Sequence, residues 1–252
     1  MVLLRADKYY EPNIIIMDEI KVRIKNDIPL SAGEEVRMLK LDDQKLLKFY
    51  FVHGNLSEKA EVELIRSGNV DLIKSYLRRY SLCYDAEIEL VKLGNAELIE
   101  FYFLRNRLNV DAVKLMFEQN NHDLVKSYLD RVSISSIPFS TVEEMLLCKG
   151  RENLLEVYLH RSKLHSFRHE INLVKLGNAK LIKQYIENDH ELSMYALVEL
   201  VKMKNVELLK SYIDRRMLNG TAYEEFVKLG NKELLDIYAE NYPSFDEVNW
   251  SE

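Results

Sequence analysis

Three stretches, ELIRSGNVDLIKSYLRR (63–79), ELVKLGNAELIEFYFLR (89–105) and ELVKMKNVELLKSYIDR (199–215), carry one pattern. LVKLGN returns unchanged at 90–95 and 173–178, and FVKLGN at 226–231. A period of this length marks a repeat architecture. One tyrosine sets the register: Tyr50, Tyr76, Tyr102, Tyr128, Tyr158, Tyr185, Tyr212 and Tyr238, spaced 26, 26, 26, 30, 27, 27 and 26 residues apart.

Around each tyrosine the apolar residues follow a helical period. Leu72 and Ile73 stand four and three places before Tyr76, and Leu77 follows it; Leu98, Ile99 and Phe103 do the same for Tyr102. Apolar positions at i, i+1, i+4 and i+5 make one stripe, so this segment is an amphipathic helix B. Seven places before the tyrosine stands Asn69, Asn95, Asn121, Asn178, Asn205 or Asn231, a residue type that caps helix N-termini. The preceding Gly68, Gly94, Gly150, Gly177 and Gly230 can take the left-handed conformation that ends a helix. Asn120 tolerates it too, Lys204 and Asp42 less comfortably.

Upstream lies a short helix A with apolar pairs such as Leu64-Ile65, Leu90-Val91 and Leu173-Val174, opened by Ser31, Ser57, Asn109, Ser166, Ser193 or Asn219. Cys83 interrupts that cap column. Before the cap come Leu30, Leu56, Leu82, Leu108, Leu192 and Leu218, expected to plug the joints between units.

A pair of helices of about ten residues cannot bury its own apolar face, whereas stacked pairs can. The expected fold is therefore all-α: an α-solenoid of about eight two-helix repeats of 26–30 residues, a rod on the order of 70–90 Å long. It is read as one continuous domain. Residues 1–29 form an N-terminal cap or degenerate repeat, with Ile24 in the tyrosine register; 30–242 hold the repeats; 243–252 form a C-terminal cap in which Trp250 folds back. The 30-residue spacing places an insertion near 133–140, either a local bulge or a binding loop.

The repeat LVKLGNxELIxxYL resembles tandem two-helix repeats of functionally uncharacterised bacterial proteins, over roughly residues 30–240. More loosely it is similar to HEAT, ankyrin and TPR solenoids, although neither the TPLHxA nor the W-L-G-Y-A-F-P pattern is present. The resemblance implies a stacked helical array with a protein-binding role, and no site residues.

Composition points the same way. The chain has 252 residues, 8 Gly and 4 Pro, which favours helix over loop-rich β structure. A formal charge of −6 disfavours nucleic acid as a partner. Charges interrupt every apolar run, so no membrane span is expected and the reading is cytoplasmic. Cys83 and Cys148 are expected to be small buried or capping residues in a reducing compartment.

Candidate functional residues come from the columns. Arg79, Arg105, Arg131, Arg161 and Arg215 stand three places after a tyrosine. They either complement the end of helix B or form a ladder for acidic side chains or phosphates. The tyrosines could stack bases but are better explained as core, their hydroxyls reaching solvent or a backbone partner. The position before each tyrosine varies in character, with Phe49 and Phe101 as its aromatic members, and could encode specificity if exposed. His165 and His169 are weak metal candidates, expected on opposite sides of the helix start at Ser166. The acidic residues are attributed to caps and exposed helix positions. No catalytic motif and no cofactor signature occurs. The chain is read as a non-enzymatic scaffold binding an unidentified protein, with nucleic-acid or phosphate binding through the arginine column as the alternative.

Overall fold

The computed structural model describes residues 19–26, 28–41, 43–119, 121–132 and 138–243. Asp42, Asn120, residues 133–137 of the insertion, the first 18 residues and the segment from Ser244 through Trp250 to the end lie outside them. Among the described residues the chain is helical and has no strand.

Two compact units divide it, residues 1–124 and 125–252. In the first, helical residues 19–25 (α1) precede α2 (Ala32–Lys40), α3 (Gln44–His53), α4 (Glu58–Arg66), α5 (Val70–Leu77), α6 (Tyr84–Leu93), α7 (Ala96–Phe103) and α8 (Val110–Glu118). Helix α9 (His122–Arg131) runs from one unit into the other. The second unit holds α10 (Phe139–Leu146), α11 (Glu152–Arg161), α12 (Phe167–Leu176), α13 (Ala179–Glu187), α14 (Met194–Lys202), α15 (Val206–Ile213), α16 (Gly220–Lys228) and α17 (Lys232–Asn241).

Each unit is a two-layer stack. In the first, α2, α4, α6 and α8 pack in order as one layer of A helices, and α3, α5 and α7 as a layer of B helices. In the second, α12, α14 and α16 pack in order, as do α11, α13, α15 and α17. This is the solenoid-like arrangement that the repeat requires, because each hairpin finds its apolar contact in the next one.

The turn chemistry follows the sequence. Asn69, Asn95, Asn178, Asn205 and Asn231 are N-caps whose side chains accept from the backbone N–H three residues on. Gly68, Gly94, Gly150, Gly177 and Gly230 all have positive φ, and Lys204 takes the same conformation at φ 56° despite its Cβ. The plug residues Leu30, Leu56, Leu82, Leu108, Leu192 and Leu218 are buried. In the degenerate first unit Ile20 and Ile24 are buried as well.

Helix A starts depart from expectation at Ser57 and Ser193, whose side chains make no capping bond. The Ser57 hydroxyl instead donates to Glu35. Cys83 takes the N-cap place of α6 without capping it, and Cys148 is exposed rather than buried. Burial pushes the Cys83 thiol up to about 11, which keeps it protonated near neutrality.

Candidate interaction surface

The tyrosine column is core. Tyr76, Tyr102, Tyr158, Tyr185 and Tyr212 are almost wholly buried, which removes base stacking as their role. Their hydroxyls do not reach solvent or backbone alone; most meet a carboxylate. Tyr50 donates to Glu35 at 2.6 Å, Tyr76 to Glu61 at 2.6 Å, Tyr102 to Glu87 at 2.6 Å, Tyr158 to Glu143 at 2.7 Å and Tyr185 to Glu170 at 3.2 Å. Each acid lies fifteen residues before its tyrosine, in the middle of helix A.

These five glutamates are buried, contrary to the expectation that acids sit at caps and exposed positions. The sequence does carry the signal, as a second column in register with the first. It was hidden because Glu is also the commonest filler of exposed helix positions.

A buried carboxylate is costly unless hydrogen bonds satisfy it. Here the second oxygen accepts from the backbone N–H that opens the following helix A. Glu35 takes Ser57 N at 2.9 Å, Glu61 takes Cys83 N at 2.6 Å, Glu87 takes Asn109 N at 2.6 Å and Glu170 takes Ser193 N at 2.7 Å. The anion thus also meets the positive end of a helix. Each glutamate therefore ties its own helix A, its own helix B and the start of the next unit. Burial, and then the carboxylate, push the Tyr76 and Tyr102 hydroxyls far above the ordinary tyrosine range. Burial likewise holds Glu87 above the usual carboxylate range, even though Tyr102 and Asn109 donate to it.

His165 and His169 belong to this network. They do flank the helix start at Ser166, yet they meet at one acid: His165 Nδ1 lies 2.7 Å and His169 Nδ1 2.5 Å from the two oxygens of Glu143. The extra residue between Tyr158 and Ser166 brings His165 to the place where other units present the cap. The stacked Phe139 ring, 3.8 Å away, holds the imidazole from the other side. Among the described residues no group of His, Cys, Asp and Glu suits a metal ion.

The arginine column splits. Arg79, Arg105 and Arg215 stand one residue beyond the C-caps Arg78, Leu104 and Asp214, not in the last helical turn, and are exposed. Arg131 and Arg161 are the last residues of α9 and α11. Arg105 sits over the half-buried Phe101 ring at 4.4 Å. Arg161 turns inward: Nη1 donates to the Leu129 carbonyl and Nη2 to that of Val132 at 3.2 Å. Asn188 donates to Leu159 O at 3.0 Å and Asn241 to Ile213 O at 3.3 Å from the same register position. All three satisfy carbonyls left over at the end of the preceding helix B. In these units the column is a clip between neighbours.

The variable position before the tyrosine is mostly half-buried. Phe49, 40% exposed, is its outlying member, with its ring against His53. A group of outward apolar residues stands elsewhere, at the first turn of the A helices. In the first unit they are Tyr84 and Val110. In the second, Phe167 and Tyr195 are 50% and 56% exposed with ring centroids 5.6 Å apart, and Met194, also exposed, immediately precedes Tyr195. Met217, also exposed, shares a cavity with Met194. Sequence reasoning passed over these positions because a residue just inside a cap looks like a continuation of the helix stripe.

Among the described residues no helix is long and apolar enough to cross a membrane. Compared with protein-family models, with curated proteins and with solved structures, the chain matches none.

Proposed function

We propose that this chain is a non-catalytic scaffold that binds another protein through the outward first turns of its A helices. The observation that supports this reading is the aromatic and methionine cluster of Phe167, Met194, Tyr195 and Met217. Large apolar side chains held half-exposed on helix starts, as Phe167, Met194 and Tyr195 are, or in the turn before one, as Met217 is, cost solvation in the free protein and recover it when covered. Aromatic residues and Met are the types enriched at such contacts. The test is affinity capture with the immobilised full chain beside a Phe167→Ser/Tyr195→Ser variant of native circular dichroism. A protein retained by the first and lost from the second is expected. Identical retention profiles for both proteins would end this assignment of the surface.

The exposed Arg79, Arg105 and Arg215 favour one further reading, phosphate-backbone binding. It requires affinity for a nucleic-acid oligomer that falls steeply with salt, with a slope of about −0.9 per phosphate on duplex DNA. Fluorescence anisotropy showing no salt-dependent binding, or no change in an Arg79→Ala/Arg105→Ala/Arg215→Ala variant, would remove it.

A further inference from the structure

The glutamate ladder is interrupted at Val113 in α8, Leu197 in α14 and Tyr223 in α16, and at α14 the unused donors describe what would fill the gap. In α14 the ladder position is Leu197, fifteen residues before Tyr212. A leucine ends at its Cδ carbons, where a glutamate has its carboxyl carbon, and brings no oxygen. The groups a carboxylate would serve are left over.

Tyr212 is 1% exposed, and among the described residues no hydrogen bond engages its hydroxyl. Asn219, the N-cap of α16, accepts from Ala222 N at 3.1 Å through Oδ1 and from Tyr223 N at 2.8 Å through its carbonyl. Its N–H and Nδ2 have no acceptor among the described residues. In Asn109, at the same register position, those two groups both donate to Glu87 Oε2, at 2.6 and 2.8 Å.

Tyr212 and Asn219 line one cavity of about 350 Å³ together with Leu197. Ser193, whose buried hydroxyl has no hydrogen-bond partner among the described residues, lines it too. Met194 and Met217 add apolar wall and Lys163 a cation.

We infer that this cavity is a carboxylate-binding site that accepts, from outside the chain, the group that Glu35, Glu61, Glu87, Glu143 and Glu170 supply internally in their repeats. The Tyr212 hydroxyl and the Asn219 N–H and Nδ2 are the donors. Leu197, Met194 and Met217 cover a short aliphatic stem. The acids in the lining do not oppose this. Glu170 lies one repeat away, the spacing at which Glu61 and Glu87 already coexist in α4 and α6, and it is itself satisfied by Tyr185 and Ser193. Glu191 is well exposed and 3.8 Å from Arg216 Nη1. The required chemistry is a carboxylate on a stem of two or three carbons, carried either by a glutamate of a bound polypeptide or by a free organic acid. The site stands independently of the scaffold reading.

The experiment is an NMR titration of the full chain, ¹⁵N-labelled and carrying ¹³C-methyl Met. Butyrate, which reproduces a glutamate from Cα to the carboxylate, is the probe, and butyramide the neutral control. Saturable shifts of the Asn219 amide and of the Met194 and Met217 methyls are expected with butyrate and not with butyramide. Tyr212→Phe, which removes one donor to an anion, is expected to weaken binding about tenfold or more. Leu197→Glu is expected to abolish the shifts by placing a carboxylate in the gap, and to raise the urea midpoint. Should that variant not fold, Tyr212→Phe carries the test alone. A glutamate-containing peptide binding at least tenfold more tightly than butyrate, with its glutamine counterpart inert, assigns the polypeptide source; equal affinities assign a free acid. Shifts that do not saturate, that butyramide reproduces, or that persist unchanged in Tyr212→Phe overturn the inference.

Discussion

The Tyr76 hydroxyl donates to the Glu61 carboxylate at 2.6 Å across the hairpin of α4 and α5, and the other oxygen of that carboxylate accepts from Cys83 N, where the next unit begins. Stacking is therefore locked by a polar group inside an apolar seam. Removing either partner leaves the other buried without its hydrogen bond. Tyr76→Phe is expected to cost about 1–3 kcal/mol, and Glu61→Ala more, because it also orphans the Cys83 N–H. A double-mutant cycle in urea should return a coupling energy of about 1 kcal/mol or more. Additive effects would show that the pair is not an energetic unit.

Alkaline pH should unfold the chain abruptly. The hydroxyls of Tyr50, Tyr76, Tyr102, Tyr158, Tyr185 and Tyr212 are all pushed above the ordinary value of 10.0, burial being the main cause, and Tyr238 to about 12. An acid with a raised folded pKa keeps the folded state protonated where the unfolded chain has already ionised. Its contribution is intact below about pH 10 and is lost as pH rises further, by about 1.4 kcal/mol per pH unit for each tyrosine. Tyrosinate absorbance and loss of helical circular dichroism should rise together. Smooth titration of every tyrosine with the helices intact would contradict the burial.

The arginines should separate by role. Arg161→Ala removes two hydrogen bonds to helix-end carbonyls and is expected to cost about 1–3 kcal/mol. Arg79→Ala, at an exposed position beyond a C-cap, should stay within about 0.5 kcal/mol of the parent. Thermal denaturation of the two variants side by side checks this.

Backbone geometry predicts a gain and a loss at equivalent turns. Lys204 holds φ 56° where Gly94 holds 68°. Relieving the Cβ strain with Lys204→Gly should stabilise by about 1 kcal/mol, and Gly94→Ala should destabilise by about 1–2 kcal/mol. Opposite shifts of the denaturation midpoint are the expected result.

The repeat, its register, the Asn caps, the left-handed glycines and the leucine plugs were legible from residue types alone. Each depends on a local rule: 3.6 residues per turn, a side chain that caps, a backbone that tolerates positive φ. The glutamates, the inward turn of Arg161 and the meeting of His165 with His169 at Glu143 were not. Whether an acid on a helix faces water or a tyrosine fifteen residues away is settled only when a second hairpin covers it.

That division has one physical cause. Periodicity and caps act within a few residues, so the chain of amino acids alone determines a stack of helical hairpins and where each begins. Burial acts between hairpins, so tertiary packing decided which polar residues are enclosed, which aromatic residues remain outside, and that Leu197 leaves Tyr212 and Asn219 without the acceptor that Tyr102 and Asn109 find in Glu87.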